Sequence, residues 1–119
     1  MKIFNKNRKI NFVDDNNVFV GFDNESDYNE SFGHFFTYSL DPIEEVNLTE
    51  DKLEGFNFDK TFFVDTIVDP NDEEEQAVAF CLEKGNDKIY LVLVNSHNGY
   101  YSHGFEMGKG NEIFHEGSL

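Results

Sequence analysis

Asp69, Asp72, Glu73, Glu74 and Glu75 place five carboxylates in seven consecutive positions, interrupted only by Pro70 and Asn71. Carboxylates at this density suit cation binding, acid–base catalysis or attraction of a basic partner. The first needs ligand spacing, and neither the calcium-loop pattern nor HExxH or CxxC occurs. The second needs an acid in apolar surroundings that raise its pKa. Asp65, between Val64 and Thr66, is the one acid inside an apolar run, and it reads first as the solvent side of an edge strand. His97 and His103, with His34 and His115, invite a metal, but a hairpin turning at Asn98-Gly99 puts His97 and His103 on opposite faces. Cys81, between Phe80 and Leu82 with no adjacent cation, reads as an inert core thiol. As the only cysteine it allows no internal disulfide. Gly104, Gly108 and Gly110 precede no helix, so a phosphate cradle is not expected, and Gly108-Lys109-Gly110 reads as a hairpin loop. No catalytic residue, metal or cofactor is expected.

Attraction of a basic partner is left. The 119 residues carry 24 Asp and Glu against nine Lys and Arg, a net charge of −15. Lys2, Lys6, Arg8 and Lys9 lie in a leader of ten residues without an acid, so from residue 11 onward five cations face 24 acids, a net −19. Such a body cannot neutralise phosphates, which excludes grip on a nucleic-acid backbone and docking onto anionic lipid. The leader has no apolar stretch behind it and no run approaches 18 apolar residues, so neither a secretory signal nor a membrane span is expected, and the location reads as cytoplasmic. With 39% hydrophobic residues and 14 phenylalanines the chain is expected to fold as one acidic domain, residues 1–119.

The elements that position these residues are strands. Val18, Val20 and Phe22 alternate with Phe19, Gly21 and Asp23, and Phe32, His34, Phe36 and Tyr38 alternate with Gly33, Phe35 and Thr37. Lys60 to Val68 is aromatic and β-branched and ends at Asp69-Pro70. One short helix is expected near 49–54, capped by Thr49 and stopped by Gly55. A two-residue loop at Gly85-Asn86 predicts the pairs Glu83–Lys88, Leu82–Ile89, Phe80–Leu91 and Val78–Leu93, an ion pair followed by an apolar ladder. A second loop at Asn98-Gly99 predicts Val92–Phe105 and Tyr90–Met107. Strand 88–95 is then apolar on both faces and should be covered on each. The cover is either a second sheet of N-terminal strands or the segment from Glu44 to Phe58. The expected fold is mostly β, an antiparallel meander forming a sandwich or strongly bent sheet. The acid run at 69–75 falls in a loop of this scheme, as do Asp14-Asp15, Asp23 to Glu30, Glu44-Glu45 and Glu50 to Glu54.

The stretch Asn95 to Phe105 (NSHNGYYSHGF) and Glu30-Ser31-Phe32-Gly33 resemble a family of small, uncharacterised bacterial β-rich proteins. That family carries a Cys-Cys pair before its Glu-Ser; Tyr28-Asn29 stands there in this chain, so no role of those thiols carries over. In size, acidity and β-richness the chain is also similar to the cytoplasmic immunity proteins of contact-dependent growth inhibition and other polymorphic toxin systems. Those proteins bind and neutralise a cognate toxin domain, often a nuclease.

The resemblance implies a protein inhibitor whose partner is a basic toxin domain, an RNase or DNase. Acids on nearly every connection fit it, since complementary charge steers encounter and mere solubility needs far less than −15. Asp69, Asp72, Glu73, Glu74 and Glu75 are the expected charged footprint, with Tyr28, Tyr100 and Tyr101 as aromatic anchors. Two alternatives stand beside it: a phage- or plasmid-encoded nucleic-acid mimic that blocks a defence complex, and a small-ligand pocket around Asp65, His103 and Tyr90.

Overall fold

Period-two alternation drives most of the chain into strands. The computed structural model describes residues 1–6, 9–23, 31–69, 72–96 and 104–119, with backbone alone at 31–32, 66–69, 72–76 and 95–96. Its strands are β1 (Lys2–Lys6), β2 (Lys9–Val13), β3 (Val18–Asp23), β4 (Ser31–Leu40), β5 (Ile43–Val46), β6 (Asn57–Asp69), β7 (Asp72–Lys84), β8 (Asp87–Ser96), β9 (Gly104–Lys109) and β10 (Glu112–Ser118). They form two antiparallel five-stranded sheets, in the orders β1-β2-β3-β9-β10 and β5-β4-β8-β7-β6. The fold is the expected β-rich, sandwich-like one.

The β7–β8 hairpin turns at Gly85 and Asn86, and Gly85 adopts φ 62°, a conformation that costs a residue without Cβ little. Its register is the predicted one: Glu83 faces Lys88, Leu82 Ile89, Phe80 Leu91 and Val78 Leu93. The second predicted hairpin does not form. Val92 pairs with Phe35 of β4 and Ala79 of β7, while Phe105 and Met107 pair with Phe22 and Val20 of β3 in the other sheet. The chain therefore crosses between sheets after β8. Phe105 and Met107 are almost wholly buried there against the facing sheet, which β8's outward side could not offer. Asn98-Gly99 itself lies outside the described residues.

The expected helix is a single 3-10 turn, Glu50–Leu53. Thr49 holds the cap position without a side-chain hydrogen bond, and Gly55 follows at φ 84°. The turn drops Leu53 and Phe56 into the end of the sandwich, where both are buried. The β9–β10 loop is Gly110-Asn111, and Gly108 belongs to β9 rather than to the loop. A Cβ there would strike the carbonyl oxygen of Glu112 on β10, so the two strands approach to glycine distance.

Between the sheets lies a core rich in phenylalanine. One group joins Phe12, Phe22 and Phe36, with Phe12 5.9 Å from Phe36 and 6.0 Å from Phe22 between ring centres. A second joins Phe63, Phe80 and Phe105 at 5.4 to 6.1 Å. Burying each such side chain contributes roughly 1.5–3 kcal/mol. Val20, Val78, Leu82, Leu91, Leu93 and Met107 fill the remaining space. Of the two expected covers, the facing sheet is the real one. β5 instead extends the edge of its own sheet beside β4.

Candidate functional site

The acidic run lies on a strand rather than in a loop. Asp69 ends β6, Asp72 begins β7 directly opposite it, and Glu73, Glu74 and Glu75 continue β7. Alternation from the apolar run Ala77–Leu82 extends the pairing outward to this point. β8 follows β7 only as far as Ser96, opposite Glu75, so Asp72 to Glu74 overhang the sheet on a two-stranded tip. The five acids thus stay together at one end of a long hairpin. Tyr28, Tyr100 and Tyr101, the expected anchors, lie outside the described residues, as do Glu25, Asp27, Glu30, His97 and His103.

The other acids divide. Glu44 and Glu45 are exposed on β5, and Glu50, Asp51 and Glu54 are exposed around the 3-10 turn. Asp14 is not a surface acid at all, being only 4% exposed. One carboxylate oxygen accepts the amides of Asn16 and Val18, each at 2.9 Å, and the other accepts the amide of Phe58 at 2.8 Å. The first two bonds fix the β2–β3 turn, where Asn17 takes φ 64°. The third ties that turn to the start of β6 in the opposite sheet.

Both described histidines pack on phenylalanine. The His34 ring lies 5.1 Å from Phe12 and 5.5 Å from Phe22, its outer side open to solvent. Loss of water on the packed side lowers its pKa from the ordinary imidazole value. His115 stacks on Phe63 at 4.9 Å and donates from Nε2 to the Lys60 carbonyl at 3.0 Å, clasping β10 to β6. Among the described residues no group of three or more His, Cys, Asp or Glu is placed to hold a metal.

Cys81 is buried, and burial pushes its thiol up to about 11, with the charges of Glu83 and Asp59 adding and Lys88 opposing. Asp59, Glu83 and Lys88 gather beside it. The Thr61 hydroxyl and amide donate to Asp59 at 2.7 and 3.0 Å and, with Glu83 and Lys88 as further contributions, hold its carboxyl below the usual range. Of the three residues expected to form a small-ligand pocket, His103 lies outside the described residues, and Asp65 and Tyr90 are not brought together. Asp65 pairs with Val78 and Tyr90 with Cys81, so the two occupy opposite faces of the sheet, and Asp65 is exposed on edge strand β6.

Alternation also produces a feature the acids had overshadowed. The residues of the second sheet that turn from the core form their own apolar layer: Ala77, Ala79 and Val92 are buried beneath half-buried Phe35, Val64 and Val94. Phe62 and Tyr90 extend it, their rings 5.4 Å apart. Expected to be covered, this face has no element packed on it among the described residues. The signal was legible in Ala79, Cys81, Tyr90, Val92 and Val94 at every second position; the missing cover was not.

Comparison with known protein families, with characterised proteins and with solved structures returns no match. No helix among the described residues is long and apolar enough to cross a membrane.

Proposed function

We propose that the protein is an inhibitor of the immunity type, which binds and neutralises a basic toxin domain, with a nuclease as the favoured target. The observation that supports this is the placement of charge on the folded chain. Ten of the 24 acids lie on a hairpin tip (Asp69, Asp72 to Glu75), an edge strand (Glu44, Glu45) and an end turn (Glu50, Asp51, Glu54). Acids so placed raise the encounter rate with a cationic protein. A nuclease presents such a surface, because it must hold phosphates with Lys and Arg. The inhibitor needs no chemistry of its own; occupying the basic groove is enough.

The test is protection. The chain is co-expressed with the toxin domain encoded beside it in its genome, and growth and nucleic-acid integrity are followed. Restored growth, with a co-purifying complex, is the expected result. A neighbouring toxin that kills equally well with and without this chain refutes the reading, and so does a genome with no toxin gene beside it.

A further inference from the structure

We propose that the outward face of the β5-β4-β8-β7-β6 sheet is a docking surface for a basic protein, one that offers an apolar patch framed by Lys and Arg. The sign of the partner rests on the inhibitor reading above; the location rests on the packing of the sheet. A folded chain gains by turning apolar side chains inward, yet this sheet is apolar on both sides. Leu91, Leu93, Val78 and Phe80 meet the facing sheet. Phe35, Val64 and Val94 pack over Ala77, Ala79 and Val92 on the other side, with Phe62 and Tyr90 beside them. Four strands, β4, β8, β7 and β6, about 4.8 Å apart and with three outward positions along each, give a face on the order of 20 Å by 20 Å. Its centre is already buried beneath half-buried Phe35, Val64 and Val94, so the area open to a partner is well below the roughly 800 Å² that a stable complex takes from each side, and the rim must supply the rest.

The rim decides the occupant. At one end stand Asp59 and Glu83, with Lys88 opposite Glu83. On the β5 edge, Glu45 faces Thr37 and is exposed. At the far end the β6–β7 hairpin carries Asp69 and Asp72 to Glu74 beyond the last residue of β8, with Glu75 opposite that residue. A second copy of this chain docked by the same face would bring acids against acids, and an anionic membrane would be repelled. A basic protein meets complementary charge on three sides and apolar contact in the middle, the arrangement in which buried central residues carry affinity and rim charges carry rate.

The experiment follows the side-chain resonances of the full chain during titration with two peptides of equal length, one alternating leucine and lysine and one of lysine alone. Saturable shifts at Phe35, Phe62, Tyr90 and Val94 with the first peptide, and not with the second, support the face. Identical shifts from both peptides overturn it, as do shifts confined to the acidic tip or no saturable binding. Val94→Lys and, on a different strand, Val64→Lys should each weaken the leucine–lysine peptide at least tenfold and oligolysine less than twofold. Circular dichroism establishes which variants are folded, and unchanged affinity in a folded variant overturns the proposal. The toxin domain, titrated in parallel, separates the two readings. Toxin binding that survives both variants overturns the face and leaves the inhibitor intact. Peptide docking at this face without toxin binding does the reverse.

Discussion

Replacing Asp14 by alanine should be among the most damaging single changes on the acid-rich side of the sequence, although nothing distinguishes Asp14 from Asp15 by residue type. Its carboxylate accepts three backbone amides at 2.8 to 2.9 Å from within the fold. Asn16 is exposed, and water can replace the lost bond there. Val18 and Phe58 are buried, so Asp14→Ala strands two donors. An unsatisfied buried donor costs about 1–3 kcal/mol, which makes the loss roughly 2–6 kcal/mol, a large part of the 5–15 kcal/mol that holds a typical domain. Asp14→Asn keeps one acceptor oxygen and turns an amide donor toward one of the N–H groups, so it should cost about 2 kcal/mol. Asp15→Ala, at an exposed site, should stay within about 0.5 kcal/mol of the wild type. Urea unfolding followed by circular dichroism gives the three values. Amide exchange adds a local measure, since Phe58 should exchange faster in Asp14→Asn while its neighbours in β7 do not. Equal midpoints for Asp14→Ala and Asp15→Ala would refute the view of Asp14 as the tie between sheets.

Gly108→Ala should destabilise by roughly 1–3 kcal/mol, because the new Cβ meets the Glu112 carbonyl, whereas Gly104→Ala enters open space and should leave the thermal midpoint unchanged. At pH 8 Cys81, with its thiol near 11, should be labelled by a disulfide reagent at least a hundredfold more slowly than in the urea-unfolded chain; rapid labelling of the folded protein would contradict its burial. His34 is lowered in the folded state, so the unfolded chain binds the extra proton: its contribution is whole above the ordinary value near 6.5 and is lost as pH falls through that value toward the folded one. The wild type should therefore lose stability relative to His34→Gln as pH falls below about 6.5, and a flat difference there would remove the desolvation account.

The legible parts of the fold are those decided by neighbours in sequence. At Gly85-Asn86 the loop, the Glu83–Lys88 pair and the Leu82–Ile89 rung all lie within eight residues, and each favours the same register. The pairing beyond Asn98-Gly99 failed because a turn signal says that the chain reverses, not which sheet it re-enters. Phe105 and Met107 have the right spacing for either partner, and pairing with β3, which buries both against the facing sheet, settled the matter. The acid run kept its place at the hairpin end, but strand pairing outlasted the apolar pattern, so charge alone drew the boundary of β7 too late. Asp14 was legible as a turn residue; its bond to Phe58 spans 44 positions and leaves no local trace.

The same distinction between local and long-range effects explains how so acidic a chain stays folded. At physiological ionic strength a charge is felt over about 8 Å, while the molecule measures 38 by 33 by 24 Å. Acids at the β6–β7 tip and acids around the 3-10 turn, at opposite ends of the second sheet, are therefore largely screened from each other. Repulsion is confined within each cluster. An approaching basic surface meets a different situation, because contact displaces the screening ions and the water between the charges. The acids thus weigh little against folding and much in the encounter. Charge reversal at positions 72–75 should accordingly slow association and flatten its dependence on salt. A cation on the apolar face, as in Val94→Lys, should instead shorten the lifetime of the complex once formed. Electrostatics and apolar contact occupy different parts of the same sheet, so rate and lifetime can be altered one at a time.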